Sequence, residues 1–476
     1  MKFFYFKLIN VINLIYKYTL TIINFTIGLK KIFIFSFIIP TLTFSQISNI
    51  NLLDNWRNDT IMTTYDGESI FNEIWGLEIN NRKYAVLGST IGTHFFKIQN
   101  NKLEEIAFVK GKYAGPQAIH RDYHDFNGYL YAVCDENLSS LQIFDLRFLP
   151  DSVPLVYDSD SLIIRAHNIF IDTSKSKMYA CAVSTPMGFH AMNVYDLDNP
   201  TNPQLIYSYD EVGHVHDAYV YNDTAFLNCA AEGLKVIKST NNATYIQIGE
   251  LNIYPDKDYN HSGWINESKN TYLMCDEALG KDVKVLDVSD LNDIQVNALL
   301  NSEMGDDESS VPHNVIIRNN IAYISYYHDG LQIFDISSST NPRKLAYYDT
   351  YLPNPSVSWA GAWGVYPFQN SDLILVSDRT YGLFLLNFEK PPNVSEEPYF
   401  LFPNPAQDYI YFYKEHMGLA NYTLNIFSSL GALVDQFYVN KEYQRIDLSK
   451  YSTGLYLIEY RSNFDSNTLS IKFFVE

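Results

Sequence analysis

The sequence predicts an all-β protein, a seven-bladed β-propeller followed by a small C-terminal β-sandwich, and two observations carry that prediction. A six-residue phrase recurs seven times between residues 93 and 388, and successive copies start 42 to 52 residues apart. A period of this size is typical of proteins that repeat one supersecondary unit. Each copy also alternates apolar with polar or smaller residues, which is the period of a half-buried strand and not of a helix. The copies are THFFKI (93–98), LQIFDL (141–146), MNVYDL (192–197), LKVIKS (234–239), VKVLDV (283–288), LQIFDI (331–336) and LFLLNF (383–388).

The repeat that begins at Pro312 shows the whole unit. Its four strand-like runs are separated by Asn-Asn, Asp-Gly and Asn-Pro turn signals. Four antiparallel strands per unit are typical of a propeller blade, whereas a solenoid with this period would be mostly helical. Seven copies therefore predict seven blades within residues 46–388. The runs are HNVIIRNN, IAYISYYHDG, LQIFDISSST and PRKLAYYDTY.

Closure of the ring is also predicted from the sequence. The seventh unit has only three runs, 362–368, 372–378 and 383–388, so its fourth strand is missing. The stretch INLLDNWRND, residues 50–59, matches the outer-strand pattern of LAYYDTY. We expect it to pair into the last blade, which would protect an otherwise open sheet edge.

The first 45 residues are a predicted targeting segment outside the fold. They contain five lysines and no acidic residue, and an apolar run at 32–42 follows Lys30 and Lys31. That layout is typical of a secretory signal, with cleavage expected between Ser45 and Gln46. The run is shorter than the ~20 residues that a membrane span needs. Two alternatives stay open: an over-extended start, with translation beginning near Leu29, and an uncleaved membrane anchor.

Charge excludes one class of partner. The whole chain has a formal net charge of −20, and removal of the five lysines of the signal leaves −25. Such a surface has no basic patch to neutralise phosphates, so nucleic acid is not expected as a partner. An acidic surface favours solubility and attracts cations. The mature propeller is not expected to span a membrane.

The four cysteines occupy corresponding places, in the second run of blades two to five. Each would lie in a different sheet, which argues against a disulfide framework and favours small buried hydrophobic side chains. No CxxC pair suggests a structural zinc site. The residues are Cys134, Cys181, Cys229 and Cys275.

Composition changes after Phe388. Residues 389–399 are rich in proline and acid, which is typical of a linker. Residues 400–476 then contain six short strand-like runs, enough for a β-sandwich that can fold on its own.

Four short motifs stand out in this tail: Phe402 to Ala406, Asn425 to Phe427 with Leu430 and Gly431, Ile446 to Ser449, and Gly454 to Tyr456. Through these motifs the tail resembles the type A C-terminal sorting domain of the type IX secretion system. The resemblance implies export across the inner membrane by the amino-terminal signal and passage through the outer membrane by the tail, which is removed on release or anchoring. The partner that it implies is the type IX machinery, contacted through residues 400–476, and the location is secreted or attached to the outer surface.

Eight stretches of the predicted propeller carry a second resemblance: 74–76, 84–89, 120–122, 166–168, 215–218, 261–264, 312–314 and 361–367. Through them the propeller resembles the LVIVD-repeat proteins of the choice-of-anchor B family. The phrases of blades one and four, THFFKI and LKVIKS, depart from the pattern because they lack its aspartate. We expect these blades to form nonetheless, since that aspartate caps a turn. The resemblance implies a fold and a surface address, not a reaction.

One position, at the start of each unit's first strand, is occupied by histidine or tryptophan. The first strand of a blade lies innermost, so these side chains are expected to converge near the central funnel. Neutral imidazole binds transition metals, and nearby carboxylates can orient the rings. The residues are Trp75, His120, His167, His216, His261, His313 and Trp363.

Blade two contains the densest local cluster. His120, Asp122 and His124 alternate along one strand and should face the same side. The candidate metal ligands are therefore His120, Asp122, His124, His167, His216, His261 and His313.

A purely structural role is the competing interpretation, because a residue repeated in every blade often ties one blade to the next. A divalent metal, Ca²⁺ or a transition ion, is the one cofactor that the pattern supports. Asp135-Glu136, Asp276-Glu277 and the acidic loop 305–308 offer oxygen ligands but lack the spacing of a calcium loop, and solvated turns are the simpler reading.

Two functions stay open. The first is a secreted or surface-attached module that binds an extracellular polymer or protein, whose identity the sequence does not give. The second is a metal-dependent extracellular enzyme that uses the histidines of the funnel. The sequence has no Gly-x-Ser-x-Gly elbow, phosphate loop or His-Glu-x-x-His helix, so the common motifs of hydrolases, nucleotide-binding proteins and metalloproteases are absent.

Overall fold

A computed structural model describes residues 50–65, 67–241, 244–302, 304, 309–351, 359–369, 371–390, 399–402, 404–414, 422–439, 443–462 and 468–475. The predicted signal segment, its cleavage site and the acidic loop 305–308 lie outside the described residues, as does most of the predicted linker. Within the described part, no helix is long and apolar enough to cross a membrane.

Seven four-stranded antiparallel sheets form the propeller, as the sequence predicts. The strands are β1 (Ile50–Trp56); β2 (Phe71–Ile79), β3 (Arg82–Ser89), β4 (Gly92–Gln99) and β5 (Lys102–Lys110) in blade one; β6 (Arg121–Phe126), β7 (Tyr129–Cys134), β8 (Leu141–Asp145) and β9 (Leu155–Ser159) in blade two; β10 (Asn168–Asp172), β11 (Lys177–Thr185), β12 (Gly188–Asp196) and β13 (Gln204–Tyr209) in blade three; β14 (Asp217–Tyr221), β15 (Thr224–Asn228), β16 (Leu234–Asn241) and β17 (Thr244–Leu251) in blade four; β18 (Asn260–Ile265), β19 (Thr271–Asp276), β20 (Val283–Asp287) and β21 (Gln295–Leu300) in blade five; β22 (Val315–Arg318), β23 (Ile321–Tyr326), β24 (Gly330–Asp335) and β25 (Arg343–Tyr348) in blade six; and β26 (Ala362–Pro367), β27 (Leu373–Asp378) and β28 (Gly382–Phe388) in blade seven.

The repeated phrase is the third strand of each blade, and its burial differs from the prediction. β8 and β24 are buried at every position, although the alternation of the phrase predicts one solvated face. The polar second residue of the phrase is buried too, because both faces of a blade are covered by neighbouring blades. Examples are Gln142, Lys284 and Gln332, which are 4 %, 0 % and 0 % exposed.

The aspartate of the phrase caps the turn after its strand. Asp287 Oδ1 accepts a hydrogen bond from Ser289 N at 2.9 Å, and Asp335 Oδ1 accepts one from Ser337 N at 2.9 Å. These contacts satisfy backbone groups outside the core. Blades one and four, which lack the aspartate, are complete sheets.

Blade seven takes its fourth strand from the start of the described chain. β1 pairs antiparallel with β28, from Ile50 opposite Phe388 to Trp56 opposite Leu383. The order of this sheet is β1-β28-β27-β26, so β1 occupies the outer position. The ring is thus closed by two segments that are more than 300 residues apart in sequence.

The four cysteines are free and buried, as expected, in blades two to five. Burial raises the pKa of the Cys134 thiol to about 11 and that of Cys275 to about 12. The thiols therefore stay protonated and pack as small apolar groups.

The C-terminal domain is the predicted β-sandwich. One sheet has the order β29-β30-β33 and the other β32-β31-β34-β35. Their facing side chains, among them Ile410, Phe412, Ile426 and Ile458, form one apolar core in which each is fully buried. The strands are β29 (Tyr399–Phe402), β30 (Tyr409–Lys414), β31 (Tyr422–Ser428), β32 (Leu433–Val439), β33 (Tyr443–Asp447), β34 (Gly454–Ser462) and β35 (Thr468–Val475).

Candidate metal centre

The first strands of the seven blades line the central channel. Each contacts the first strand of the next blade, and β26 contacts β2, so the contacts close a circle. Side chains that alternate along these strands therefore point into one shared space.

Six aromatic side chains form a closed ring at one end of this channel, which we call the histidine ring. It consists of His120, His167, His216, His261, His313 and Trp363. Each side chain touches the next one around the circle. The ring-centroid distances are 4.8 Å for His120–His167, 3.9 Å for His167–His216, 4.0 Å for His216–His261, 4.4 Å for His261–His313, 4.2 Å for His313–Trp363 and 5.3 Å for Trp363–His120.

Three of the imidazoles are oriented through Nδ1. His120 Nδ1 lies 2.5 Å from Glu136 Oε1, and His167 Nδ1 lies 2.8 Å from Asp135 Oδ2. His313 Nδ1 donates to the Trp363 carbonyl oxygen at 2.6 Å, because a carbonyl can only accept. In this tautomer His313 Nε2 carries a lone pair. In metal-binding histidines the other ring nitrogen usually donates a hydrogen bond to a carboxylate or carbonyl oxygen, as Nδ1 does here.

The remaining two imidazoles are buried without that support. His216 and His261 are 4 % and 3 % exposed, and their Nδ1 atoms make no hydrogen bond of normal geometry within the described residues. Burial, together with the neighbouring histidines, holds the pKa of both far below its ordinary value. Burial has the same effect on the pKa of His313. These three rings are therefore neutral, the form that binds metals.

Three overlapping sets of side chains offer ligand atoms that lie within 4.8 Å of one another. They are His167, His216 and His261; His120, Asp135 and His167; and His261, Glu277 and His313. Ligands of a tetrahedral Zn²⁺ lie about 3.4 Å apart when each bond is about 2.1 Å. Small side-chain rotations would close the difference.

Carboxylates from the loops after the second strands stand beside the histidine ring. Glu277 Oε2 is 3.7 Å from His261 Nε2 and Glu277 Oε1 is 3.8 Å from His313 Nε2. Tyr327 donates its hydroxyl hydrogen to the same carboxylate. Burial raises the pKa of Glu277. Asp135, Glu136 and Glu277 lie in turns, but each is half-buried and contacts a histidine of the ring.

A layer of side chains that carry oxygen atoms lies deeper in the channel. Glu73, Asp122 and Asp217, with Asn168 and Asn314, share with the histidine ring a cavity of about 20 Å³, enough for one ion or water. Burial raises the pKa of Glu73 and of Asp217 to about 7. Burial and then the charge of Glu73 raise the pKa of Asp122 well above its usual range.

The three residues of the predicted blade-two cluster lie at three different depths in the channel. His120 belongs to the histidine ring and Asp122 to the oxygen layer, where it accepts a hydrogen bond from Ile169 N at 2.7 Å. His124 lies deeper still, with its ring 4.6 Å from that of Trp75. The three residues face the channel as expected, but they do not form one site, because successive inward positions of a strand are about 7 Å apart.

Trp75 does not belong to the histidine ring, which corrects the sequence prediction. It is the fifth residue of β2, whereas His261 and Trp363 are the second residues of their strands. The pairing of β2 with β3 shifts between Phe71 and Ile74, and the residue of blade one that lines the cavity beside the ring is Glu73.

Comparison with known proteins identifies the tail. Residues 400–476 match the secretion system C-terminal sorting domain. No curated protein matches the sequence.

Solved structures match at low identity. PorZ, a bacterial surface component of the type-IX secretion system of Porphyromonas gingivalis, is 11 % identical with a TM-score of 0.44; the match covers 84 % of this chain and 59 % of PorZ. The WD40 repeats of RRP9 are 8 % identical with a TM-score of 0.51, over 72 % of this chain and 98 % of that one. The Cps50 (Swd1) β-propeller domain of Myceliophteria thermophila is 9 % identical with a TM-score of 0.50, over 71 % and 99 %. The last two show the propeller fold alone.

The C-terminal domain is thus a type IX sorting domain, and the protein is a β-propeller that is secreted or attached to the outer surface by that system.

Proposed function

We propose that the propeller is an extracellular binding module that binds a divalent transition-metal ion, Zn²⁺ or one of similar preference, in the histidine ring. The observation that carries this proposal is the row of five contacting imidazoles in the histidine ring, which contribute to three overlapping ligand sets among the described residues. Nitrogen ligands favour a transition ion over Ca²⁺, which takes oxygen ligands only. The bound ion would then present open coordination positions, at the end of the channel that holds the histidine ring, to an extracellular polymer or protein.

The alternative of a purely structural ring explains less. A histidine that ties blades together should have both ring nitrogens satisfied, since buried polar atoms in proteins nearly always are. His313 bonds to a backbone carbonyl of the next blade. The buried Nδ1 atoms of His216 and His261 make no hydrogen bond of normal geometry within the described residues, and the carboxylate beside His216 Nδ1, that of Asp217, is 3.5 Å away.

One observation favours a second candidate function, a metal-dependent hydrolase or lyase. Glu277 and Tyr327 form a hydrogen-bonded pair beside His261 and His313. A carboxyl with a raised pKa next to a metal is suited to general acid or base work. A turnover assay on metal-loaded protein, with Glu277→Gln as the variant, would separate this function from binding alone.

Metal titration tests the primary proposal. We expect the chain 46–476, treated with chelator and then titrated with Zn²⁺ in a calorimeter, to bind close to one equivalent. The double variant His216→Ala, His261→Ala should bind at least about 100-fold more weakly, because both rings supply ligand nitrogens. The matched control is His190→Ala, whose imidazole pairs with Asp210 outside the ring. Substoichiometric zinc in the parent, or equal affinity in the double variant, would refute the site.

A second prediction addresses the supporting carboxylates. Asp135→Asn keeps the size of the side chain but weakens the hydrogen bond that orients His167. Loss of such outer contacts typically costs about 10- to 100-fold in metal affinity, and we expect a decrease of that size. The thermal midpoint of the metal-free protein should stay near that of the parent. A fall in that midpoint with unchanged zinc affinity would instead support a structural role.

A further inference from the structure

A second layer of aromatic side chains lines the channel three or four residues beyond the histidine ring. We call it the aromatic mouth; it consists of Trp75, His124, Phe170, Tyr219, Trp264 and Tyr366. Three residues along a strand correspond to about 10 Å, so this layer lies toward the other end of the channel. The centroid distances are 4.6 Å for Trp75–His124, 5.0 Å for His124–Phe170, 4.9 Å for Phe170–Tyr219, 4.8 Å for Tyr219–Trp264 and 5.2 Å for Trp75–Tyr366.

Blade six supplies a cation in place of an aromatic ring. The Arg318 guanidinium lies 5.2 Å from the ring centroid of Trp264 and 6.0 Å from that of Tyr366. Its Nη1 donates to the carbonyl oxygen of Ile317 at 3.1 Å. Among the described residues it forms no ion pair with a carboxylate. In a chain of net charge −20, an arginine without an acidic partner at a channel mouth indicates a place for an external anion.

The aromatic mouth opens into a cavity of about 420 Å³. Trp75, Phe170, Tyr219 and Trp264 line it, and the turns after β10 and β14 add small polar groups: Thr173, Ser174 and Asn222. The one carboxylate among the described lining residues, Asp172, is 3 % exposed and already accepts hydrogen bonds from Ser174 N and Asp223 N. Apolar walls with a few convergent polar groups are typical of a ligand site, and this volume is within the usual range.

We propose that the aromatic mouth binds an acidic sugar, a hexuronate unit of an extracellular polysaccharide. The apolar faces of the pyranose ring would lie against the aromatic rings, the hydroxyl groups would bond to the turn residues, and the carboxylate would accept paired hydrogen bonds from Arg318. This site is separate from the histidine ring, so the proposal goes beyond the function proposed above and does not depend on the metal.

The cations at this end match the charge of a uronate. One uronate unit carries one carboxylate, which the Arg318 guanidinium can neutralise. Lys269, which donates to Tyr219 at 3.3 Å and lies 4.7 Å from the ring centroid of Tyr221, is a further cation at this end and is placed to meet the next carboxylate of the polymer.

The test compares an acidic and a neutral oligosaccharide on chelator-treated chain 46–476, with tetragalacturonate and the uncharged galactotetraose as probes. We expect saturable quenching of tryptophan fluorescence by tetragalacturonate and binding of galactotetraose that is at least tenfold weaker. Arg318→Gln should weaken tetragalacturonate binding by about 10- to 100-fold, the size expected for a charge-assisted hydrogen bond, and leave galactotetraose unaffected. Phe170→Leu should weaken both probes.

His190→Ala serves as the control and should bind both probes as the parent does. Arg318→Gln with parental affinity for tetragalacturonate, equal binding of the two probes by the parent, or no binding of either would each overturn the proposal. Circular dichroism of every variant separates loss of binding from loss of fold. Because the protein is free of metal in this experiment, failure here leaves the zinc titration as an independent result.

Discussion

A chain that begins at residue 57, without strand β1, is expected to lose its cooperative thermal transition or to show a midpoint more than about 10 °C below that of the chain 46–476. The deletion removes the six residues of β1 that pair with β28 and leaves β28 as the open outer edge of blade seven. An open edge of this kind is a template for association between chains, so we also expect aggregates in size-exclusion chromatography.

Trp56 contributes much of the effect because it connects the closing strand to blade one. Its ring centroid lies 4.8 Å from that of Phe96 and 5.7 Å from that of Phe71. Trp56→Ala should therefore cost about 3 kcal/mol of unfolding free energy. Leu52, on the same strand but 45 % exposed, is the matched control, and Leu52→Ala should cost less than about 1 kcal/mol. A truncated chain that is monomeric and melts like the parent would contradict the closing role of β1.

Lys284→Met is expected to destabilise the propeller by about 3 to 5 kcal/mol. The lysine is 0 % exposed, its Nζ lies 3.2 Å from Asp276 Oδ2, and it donates to the carbonyl oxygen of Asp282 at 2.8 Å. Asp276 is equally buried and also accepts hydrogen bonds from Tyr254 Oη and Asp258 N. Removal of the cation leaves a buried carboxylate without its counter-charge, which is the costly half of a buried ion pair. Urea denaturation followed by circular dichroism measures the difference.

The double variant Lys284→Met, Asp276→Asn gives the internal control. It removes both charges, so it should recover a large part of the stability lost in the single variant. Lys97 and Glu104 form an ion pair on the surface of blade one, and Lys97→Met should change stability by less than about 1 kcal/mol. A single Lys284 variant as stable as this surface variant would show that the buried pair contributes little.

Much of the fold is readable in the sequence because each blade repeats the same local pattern. The spacing of the phrase gives seven units, and the missing fourth run after Phe388 directs attention to residues 50–59. What the pattern misrepresents is burial. The alternation in MNVYDL or VKVLDV predicts a strand with one face exposed to solvent. Asn193 and Lys284 are nevertheless 0 % exposed, because a neighbouring blade covers the second face of the sheet. Only the assembled ring reveals that neighbour.

The candidate site is readable in part for the same reason. Five histidines recur at one place in the repeat and meet in the histidine ring, but the carboxylates around them come from loops such as Asp135-Glu136 that look like ordinary turns. A sequence signal for the aromatic mouth exists: an aromatic residue follows three positions after the ring residue in five blades, and four of these residues, Phe170, Tyr219, Trp264 and Tyr366, lie in the mouth. The fifth, Tyr123, is buried in the blade core, and His124 takes its place. The depth of Trp75 in the channel depends on the irregular pairing at the start of β2, which the repeat pattern does not predict. The resemblance of the propeller to LVIVD-repeat proteins stays a prediction.

The position of β1 sets an order of events for a protein that must cross membranes. Its partner β28 begins at Gly382, more than 300 residues later, so no nascent or partly translocated chain that ends before that point can complete the seventh blade. Until then the closing strand lacks the strand with which it pairs, and blade seven is incomplete. Closure therefore waits for residues 382–388, which lie shortly before the sorting domain at residues 400–476, so that the signal for the last export step follows directly on the strand that finishes the propeller.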